Sequence, residues 1–364
     1  MSSAGATNRA WSRALSEFIR LVVHIGAAKT GSSAVQDFLV RNVRQLARRG
    51  VLVPGNDLSV KVVDGNQNWY FQSLLSTGAP GEQQVPERLR QLAQHCRKHR
   101  LSMIVVSAES LSTGPASPAL FAPLREEFEI SVVLYVRRQD EFLLAAWSQW
   151  FMKTEADFRG WLERATGTRG NWEAVIEPWA EALPGANIRV RVYEPARLTD
   201  GDVVTDFMNV LGVGLDGLER PDEERINRSL NEVATQVAMR NPHLFSGRHD
   251  RDFTNFLRAY GERAATEPVN TGAFLSAAER RALVARYSES NEAVRRRYLP
   301  DLPEGGPFSD DYPETPSLSG DERVMRELDL LWNVIYRLYG ELRLPLPELA
   351  LDDVGEIGLA PPEE

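Results

Sequence analysis

The 364-residue chain predicts an α/β fold, a P-loop-like parallel sheet flanked by helices with a mostly helical C-terminal portion, on three observations. Short apolar runs without polar alternation recur between polar, helix-periodic stretches, as expected of strands buried on both faces of a parallel sheet. The first of these, Leu21-Val22-Val23, runs through a turn of small residues directly into Ala34-Val35-Gln36-Asp37-Phe38-Leu39, giving strand, turn and helix start. After Gly214 the apolar runs stop and only helical periodicity remains.

In chain order, the apolar runs place strands at Leu21–Ile25, Met103–Val106, Ile130–Val136 and Ile188–Val192. Helical spacing fills the intervals with Ser33–Arg49, Pro86–His99, Asp140–Met152, Trp161–Trp172, Val175–Ala182 and Val203–Leu211. The C-terminal portion reads as helices at Asn231–Asn241, Phe253–Tyr260, Ala277–Arg297 and Glu322–Leu342. Leu299 to Pro316 holds five prolines and Gly305-Gly306, an irregular connection. Leu344 to Glu364 is acidic and proline-rich and reads as a loosely ordered tail. The organisation expected is an extension over residues 1–19, one α/β domain over 20–300 that turns helical from about 215, and a connection, helix and tail over 301–364.

Composition narrows the partners. Forty-two basic against 51 acidic residues give a net charge of −9, which argues against nucleic acid or an anionic membrane as the main partner. The basic clusters at Arg41 to Arg49, Arg88 to Arg100 and Arg295 to Arg297 lie in helical stretches and read as solvated faces. Cys96 is the single cysteine, so there is no disulfide framework and no zinc spacing, and a cytoplasmic setting is expected. The first 20 residues lack the apolar core of a signal peptide, and no stretch is long and apolar enough to anchor in a bilayer. The five histidines, His24, His95, His99, His243 and His249, show no metal-ligand spacing, and His24 falls inside an expected buried strand.

The turn His24-Ile25-Gly26-Ala27-Ala28-Lys29-Thr30-Gly31-Ser32-Ser33 has the chemistry of a phosphate cradle. Glycine and alanine let backbone amides approach an anion, and the helix that follows adds its unpaired N–H groups and positive dipole end. An NTP-binding loop reads GxxxxGK followed by serine or threonine, with lysine after the second glycine and a hydroxyl on Mg²⁺. Here Lys29 comes two residues before Gly31. That order, Lys29-Thr30-Gly31-Ser32-Ser33, resembles the 5′-phosphosulfate loop of the sulfotransferases, which use 3′-phosphoadenosine 5′-phosphosulfate (PAPS) as co-substrate and no metal.

A second segment, Ser131 to Phe142, is a buried strand that delivers Arg137 and Arg138 at its carboxyl end, the edge at which ligands bind in open α/β sheets. A guanidinium there suits a phosphate through paired hydrogen bonds, or caps the strand end by pairing with Asp140 or Glu141. The two segments together resemble the bacterial sulfotransferases, in which a strand ending Val-Arg-Arg begins the 3′-phosphate motif. Gly50-Val51-Leu52-Val53-Pro54, Ile188 to Gly212, Asn227-Arg228-Ser229-Leu230 and Asn291-Glu292-Ala293-Val294 extend the resemblance across roughly residues 20 to 300. The family usually has a serine eight residues after the 3′-phosphate arginine, and this chain has Ala145 there. Ser148, one helical turn on, could face the same way, or Arg138 or Arg228 could supply the contact.

The resemblance implies a site in which Lys29, Thr30, Gly31, Ser32 and Ser33 hold the 5′-phosphate end of PAPS while Arg137 and Ser148 hold the 3′-phosphate. The strand Ile104-Val105-Val106-Ser107 ends at Ala108-Glu109, and Glu109 is the expected general base, with His24 and Asp64 next in line. Glu109 could equally be a structural acid bracing the loop. Lys29 would stabilise the leaving oxygen. The activity implied is transfer of a sulfonate group to a hydroxyl or nitrogen of a small-molecule, carbohydrate or secondary-metabolite acceptor. Trp69-Tyr70-Phe71 is a candidate acceptor-pocket wall, whereas Trp147-Trp150-Phe151 has helical spacing and reads as core. The alternatives are a P-loop-type kinase or NTPase and a non-catalytic nucleotide-binding protein, the latter favoured by Ala145.

Overall fold

The computed structural model describes residues 18–61, 66–77, 81–155, 157–220, 230, 232–261, 274–312 and 319–342. Five strands form one parallel sheet: β1 (Ile19–His24), β2 (Val51–Leu52), β3 (Met103–Ser107), β4 (Phe128–Val136) and β5 (Asn187–Val192), in the spatial order β2-β3-β1-β4-β5. The helices are α1 (Ser32–Arg41), α2 (Val43–Arg48), α3 (Asn68–Thr77), α4 (Gly81–His99), α5 (Gln139–Ala146), α6 (Phe158–Ala165), α7 (Trp172–Ala182) and α8 (Val203–Leu211). Beyond the sheet come α9 (Glu232–Arg240), α10 (Asp252–Gly261), α11 (Ala277–Ala285), α12 (Ser288–Tyr298) and α13 (Gly320–Leu342). The fold is α/β with a helical C-terminal part.

Strand alternation divides the core. Leu21, Val23, Ile104, Val106, Val132 and Leu134 point to the face covered by α4 and α7, where Phe71, Phe121 and Trp179 pack. Val22, Val105, Val133 and Tyr135 point to the other, against Val35, Phe38 and Leu39 of α1 and Val204 and Phe207 of α8. In β1, β3 and β4 both faces are largely buried, which is why these strands read as nearly unbroken apolar runs, whereas β5 at the sheet edge alternates, with Arg189 and Arg191 partly exposed. The chain leaves β1 toward β3 and leaves β4 toward β5, so the carboxyl ends of β1 and β4 flank the point where the winding reverses, the place for a ligand crevice.

Several helix boundaries differ from the periodic pattern, each for a local reason. The stretch Ser33–Arg49 is two helices, because Asn42 leaves the helix (φ −105°, ψ 14°) and its amide donates to the carbonyls of Phe38 (2.8 Å) and Glu219 (2.8 Å). The stretch Asp140–Met152 ends as α helix at Ala146 and continues as a π turn over Trp147–Phe151. Trp161–Trp172 is not one helix: α6 stops at Ala165, Gly167 (φ 91°) and Gly170 (φ 77°) turn the chain, and Asn171 caps α7 by accepting from the Ala174 amide (3.0 Å). Ala277–Arg297 breaks at Arg286 and Tyr287 into α11 and α12. The pair Val51–Leu52 adds β2 at the sheet edge, and α3 occupies a stretch that carried no helical reading. The extension before residue 18 and the tail after 342 lie outside the described residues. Among the described residues no helix is long and apolar enough to cross a membrane.

Candidate functional site

The turn after β1 is rigid and held by its own side chains. The Thr30 hydroxyl is buried and donates to the carbonyl of Ala27 (2.6 Å), closing the loop on itself. Lys29 adopts a left-handed backbone (φ 65°), and Gly31 follows at φ 80° as the N-cap of α1. Gly31 is needed twice over, since an added Cβ would also lie 2.8 Å from Val203 Cγ1 of α8. No side chain caps α1, so its first-turn amides face the loop interior without a side-chain acceptor.

Gly26 lets the loop pass over a buried histidine. A Cβ at Gly26 would lie 2.8 Å from His24 Nε2 and 2.9 Å from its Cε1. His24 is fully buried against Tyr135 and Phe207, and its Nδ1 is 2.8 Å from Ser107 Oγ, which also accepts from Gln36 Nε2 (3.2 Å). The Nε2 atom beneath the loop has no hydrogen-bond partner among the described residues. Burial holds the imidazole down at about 4, so it is neutral at pH 7.

β3 runs beside β1 with Ser107 opposite His24, so the chain that leaves β3 passes next to the loop. Glu109 is half-buried there and accepts a hydrogen bond from the Ser32 hydroxyl. Burial pushes its carboxyl above the ordinary 4.5, against the opposing pull of the Ser32 hydrogen bond and the charges of Lys29 and Arg251. Ser32, Lys29 and Glu109 are thus one constellation, and the acid both braces the loop and faces the space beyond it. Ser33 is exposed.

The two arginines after β4 have different employment. Arg137 crosses to the loop, where Nη1 donates to the carbonyl of Lys29 (2.9 Å), Nε donates to Glu141 (3.0 Å), and the guanidinium lies 5.5 Å from the Tyr193 ring centre. Its Nη2 makes no hydrogen bond among the described residues, which leaves that edge of the fork for a ligand. Arg138 is buried in a structural role: it pairs with Asp140 (2.8 Å), donates to the carbonyls of Ser309 (3.1 Å) and Asp311 (2.7 Å), and lies over Tyr312 (4.4 Å). Nε, Nη1 and Nη2 of Arg138 thus each have a partner within the protein. The Ser148 hydroxyl donates to the carbonyl of Ala145 (3.1 Å) within the π turn and makes no hydrogen bond to the loop or to Arg137 among the described residues. Asp64 and Arg228 lie outside the described residues.

A cleft of about 600 Å³ opens at this edge. Its walls include Ala27 and Ala28 of the loop, Glu109, Asn68 of α3, Trp150 and Arg169. The expected aromatic wall is placed differently. Trp69 is 70% exposed and Phe71 is core, while their helix presents Asn68 and Gln72 to the cleft. Of the second aromatic group, Trp147 is core as expected, but Trp150 lines the cleft. Sequence reasoning also missed Arg169 and Arg251. Gly167 and Gly170 on either side of Arg169 were the available signal that the chain turns there rather than continuing a helix.

No family profile matches the chain, and no solved structure matches it. It is 28% identical over 170 residues to an uncharacterized protein of Archaeoglobus fulgidus, an alignment that covers 46% of this chain and 45% of the relative. The chain thus matches less than half the length of that curated relative.

Proposed function

We propose that the chain is a PAPS-dependent sulfotransferase acting on a hydroxyl or nitrogen of a small-molecule or carbohydrate acceptor. The observation that carries this reading is the meeting of Glu109 with the lysine-first loop: one desolvated carboxylate touches Ser32 and also lines the cleft. The donor set suits the two phosphate ends of PAPS. The helix-start amides and Lys29 surround the cradle, which a Cβ at Gly26 or Gly31 would disturb, and Arg137 keeps Nη2 available at its rim. When bound, PAPS supplies an activated sulfonate on a good leaving group.

Glu109 takes the proton from the acceptor O–H or N–H as that atom bonds to sulfur. Lys29 balances the negative charge that builds on the bridging oxygen as the sulfur–oxygen bond breaks and adenosine 3′,5′-bisphosphate departs. The cleft holds the acceptor in line and limits competing water. In this scheme lysine and backbone donors do the work that Mg²⁺ does in an NTP site, so no step is assigned to a metal.

Calorimetry with adenosine 3′,5′-bisphosphate, ADP and ATP·Mg²⁺ tests the reading. The expected result is tightest binding of adenosine 3′,5′-bisphosphate, unchanged by EDTA. Tighter binding of ATP·Mg²⁺ would replace the reading with a kinase. Binding of PAPS with no turnover across an acceptor panel would make the chain a nucleotide-binding protein instead.

A further inference from the structure

The cleft wall carries a cation, Arg169, that the chemistry above does not use, and a second cation, Arg248, stands beside it. Arg169 lines the cleft, and its guanidinium lies over the Phe151 ring at 5.0 Å from the centre. Arg248 reaches the same ring at 5.8 Å. Neither guanidinium makes a hydrogen bond or ion pair among the described residues, although acidic residues outnumber basic ones in the chain, 51 to 42. Three carboxylates of this region pair with other arginines: Glu155 with Arg164, Glu163 with Arg286 and Glu279 with Arg159. Burial and the nearby Arg248 hold Arg169 below its ordinary value, so its charge is maintained against both desolvation and repulsion.

The backbone that presents Arg169 is fixed from two sides. Tyr287 donates to the Arg169 carbonyl (2.8 Å) and accepts from the Gly167 amide (3.2 Å). Gln139 donates to the Gly170 carbonyl (3.0 Å), and is itself held by reciprocal amide bonds with Asn291 (2.7 and 3.1 Å). Gln139 and Asn291 are both buried. An exposed cation on a turn held from two sides, sharing a ring with a second cation and lacking a carboxylate, is built for an anion from outside. Arg137 is absent from the cleft walls, whereas Arg169 shares them with Glu109, so that anion sits on the acceptor side.

We infer that the cleft takes a small acid as acceptor, its anionic group on Arg169 and Arg248, its apolar body along Phe142 and Trp150, and its nucleophilic hydroxyl or nitrogen at Glu109. Assigning this molecule as the acceptor rests on the sulfotransferase reading; binding of the anion does not. The cleft volume is that of a small-molecule site.

The test uses the full chain, with and without saturating adenosine 3′,5′-bisphosphate, titrated with 4-hydroxyphenylacetate and with its uncharged methyl ester. The acid should bind about tenfold or more tightly than the ester, the range of a lost charge-assisted hydrogen bond. Arg169→Met, which keeps cover on Phe151, and Arg248→Gln, at an exposed position, should each shrink that preference while leaving adenosine 3′,5′-bisphosphate affinity and melting temperature unchanged. Equal affinity for acid and ester in the wild type, or a preference that survives both substitutions, overturns the inference. So does loss of adenosine 3′,5′-bisphosphate binding in Arg169→Met, which would assign the arginine to the donor. If the wild type binds no adenosine 3′,5′-bisphosphate yet prefers the acid through Arg169, the sulfotransferase reading falls and the anion site stands.

Discussion

Replacing Gly26 by alanine should destabilise the protein through a single, identifiable collision. The new methyl would lie 2.8 Å from His24 Nε2 and 2.9 Å from Cε1, with Ser32 Cβ at 3.3 Å. The imidazole cannot swing aside, since Tyr135 and Phe207 enclose it at 5.8 and 5.1 Å and Ser107 holds Nδ1. Overpacking a fixed core position costs roughly 1–3 kcal/mol, so the urea midpoint should fall by about 1 M at an m-value of ~2 kcal/mol per molar. A double-mutant cycle isolates the cause. His24→Ala alone should cost about 2–4 kcal/mol for the cavity it leaves, but it makes room for the methyl, so the pair should be more stable than the sum by about 1–2 kcal/mol. Urea titrations of the four proteins give the coupling directly. Additive effects, or a Gly26→Ala midpoint equal to wild type, would refute the packing argument whatever the protein catalyses.

Acidification should destabilise the wild type between about pH 6.5 and 4. His24 stays neutral in the fold down to about 4, while the unfolded imidazole protonates near 6.5, so the unfolded state binds the extra proton. The loss approaches roughly 3 kcal/mol at the lower pH, and a His24→Phe variant should lack that part of the pH dependence in thermal melts. Glu109→Gln should abolish most turnover yet keep adenosine 3′,5′-bisphosphate affinity. Because its folded pKa is raised, the ionised form weakens the fold above its titration, so the variant should melt no lower than wild type at pH 8. A collapse of nucleotide affinity would make the acid a loop brace alone. In wild type, kcat/KM should fall on the acid side at a pH above the ordinary 4.5 of glutamate, which a pH–rate profile reads. Lys29→Ala should lower transfer by on the order of 10²-fold with little change in melting temperature. Near wild-type turnover would place the charge balance elsewhere.

The centre of the sheet was legible because β1, β3 and β4 are largely buried on both faces and so nearly apolar throughout, while β5 at the edge showed instead as apolar residues alternating with Arg189 and Arg191. β2, with two residues, is too short to show a period. The loop was legible for a different reason: its glycines and small residues answer to backbone geometry over ten consecutive positions. Arg137 and Arg138 were not separable in sequence, since adjacent residues leave a strand in opposite directions and only the position of residues 309–312 decides which arginine meets the loop. Asn42 was equally opaque, because the break it makes depends on Glu219, 177 residues away. The cleft wall was hidden by Trp161, Leu162, Ala165 and Trp172, whose spacing fits a helix that the left-handed glycines between them interrupt.

The clasp between Arg138 and residues 309–312 also sets where the polypeptide tolerates truncation. The sheet and all its covering helices precede residue 300, so a chain ended there would keep every strand. It would also remove the Ser309 and Asp311 carbonyls and the Tyr312 ring, leaving the Arg138–Asp140 pair, now 5% and 1% exposed, with two guanidinium bonds unmade. A buried charge stripped of its acceptors is far costlier than a severed surface loop. An expression fragment designed on the sheet alone would therefore be wounded at the residue next to Arg137, whereas one extended past Tyr312 would keep that end of β4 intact.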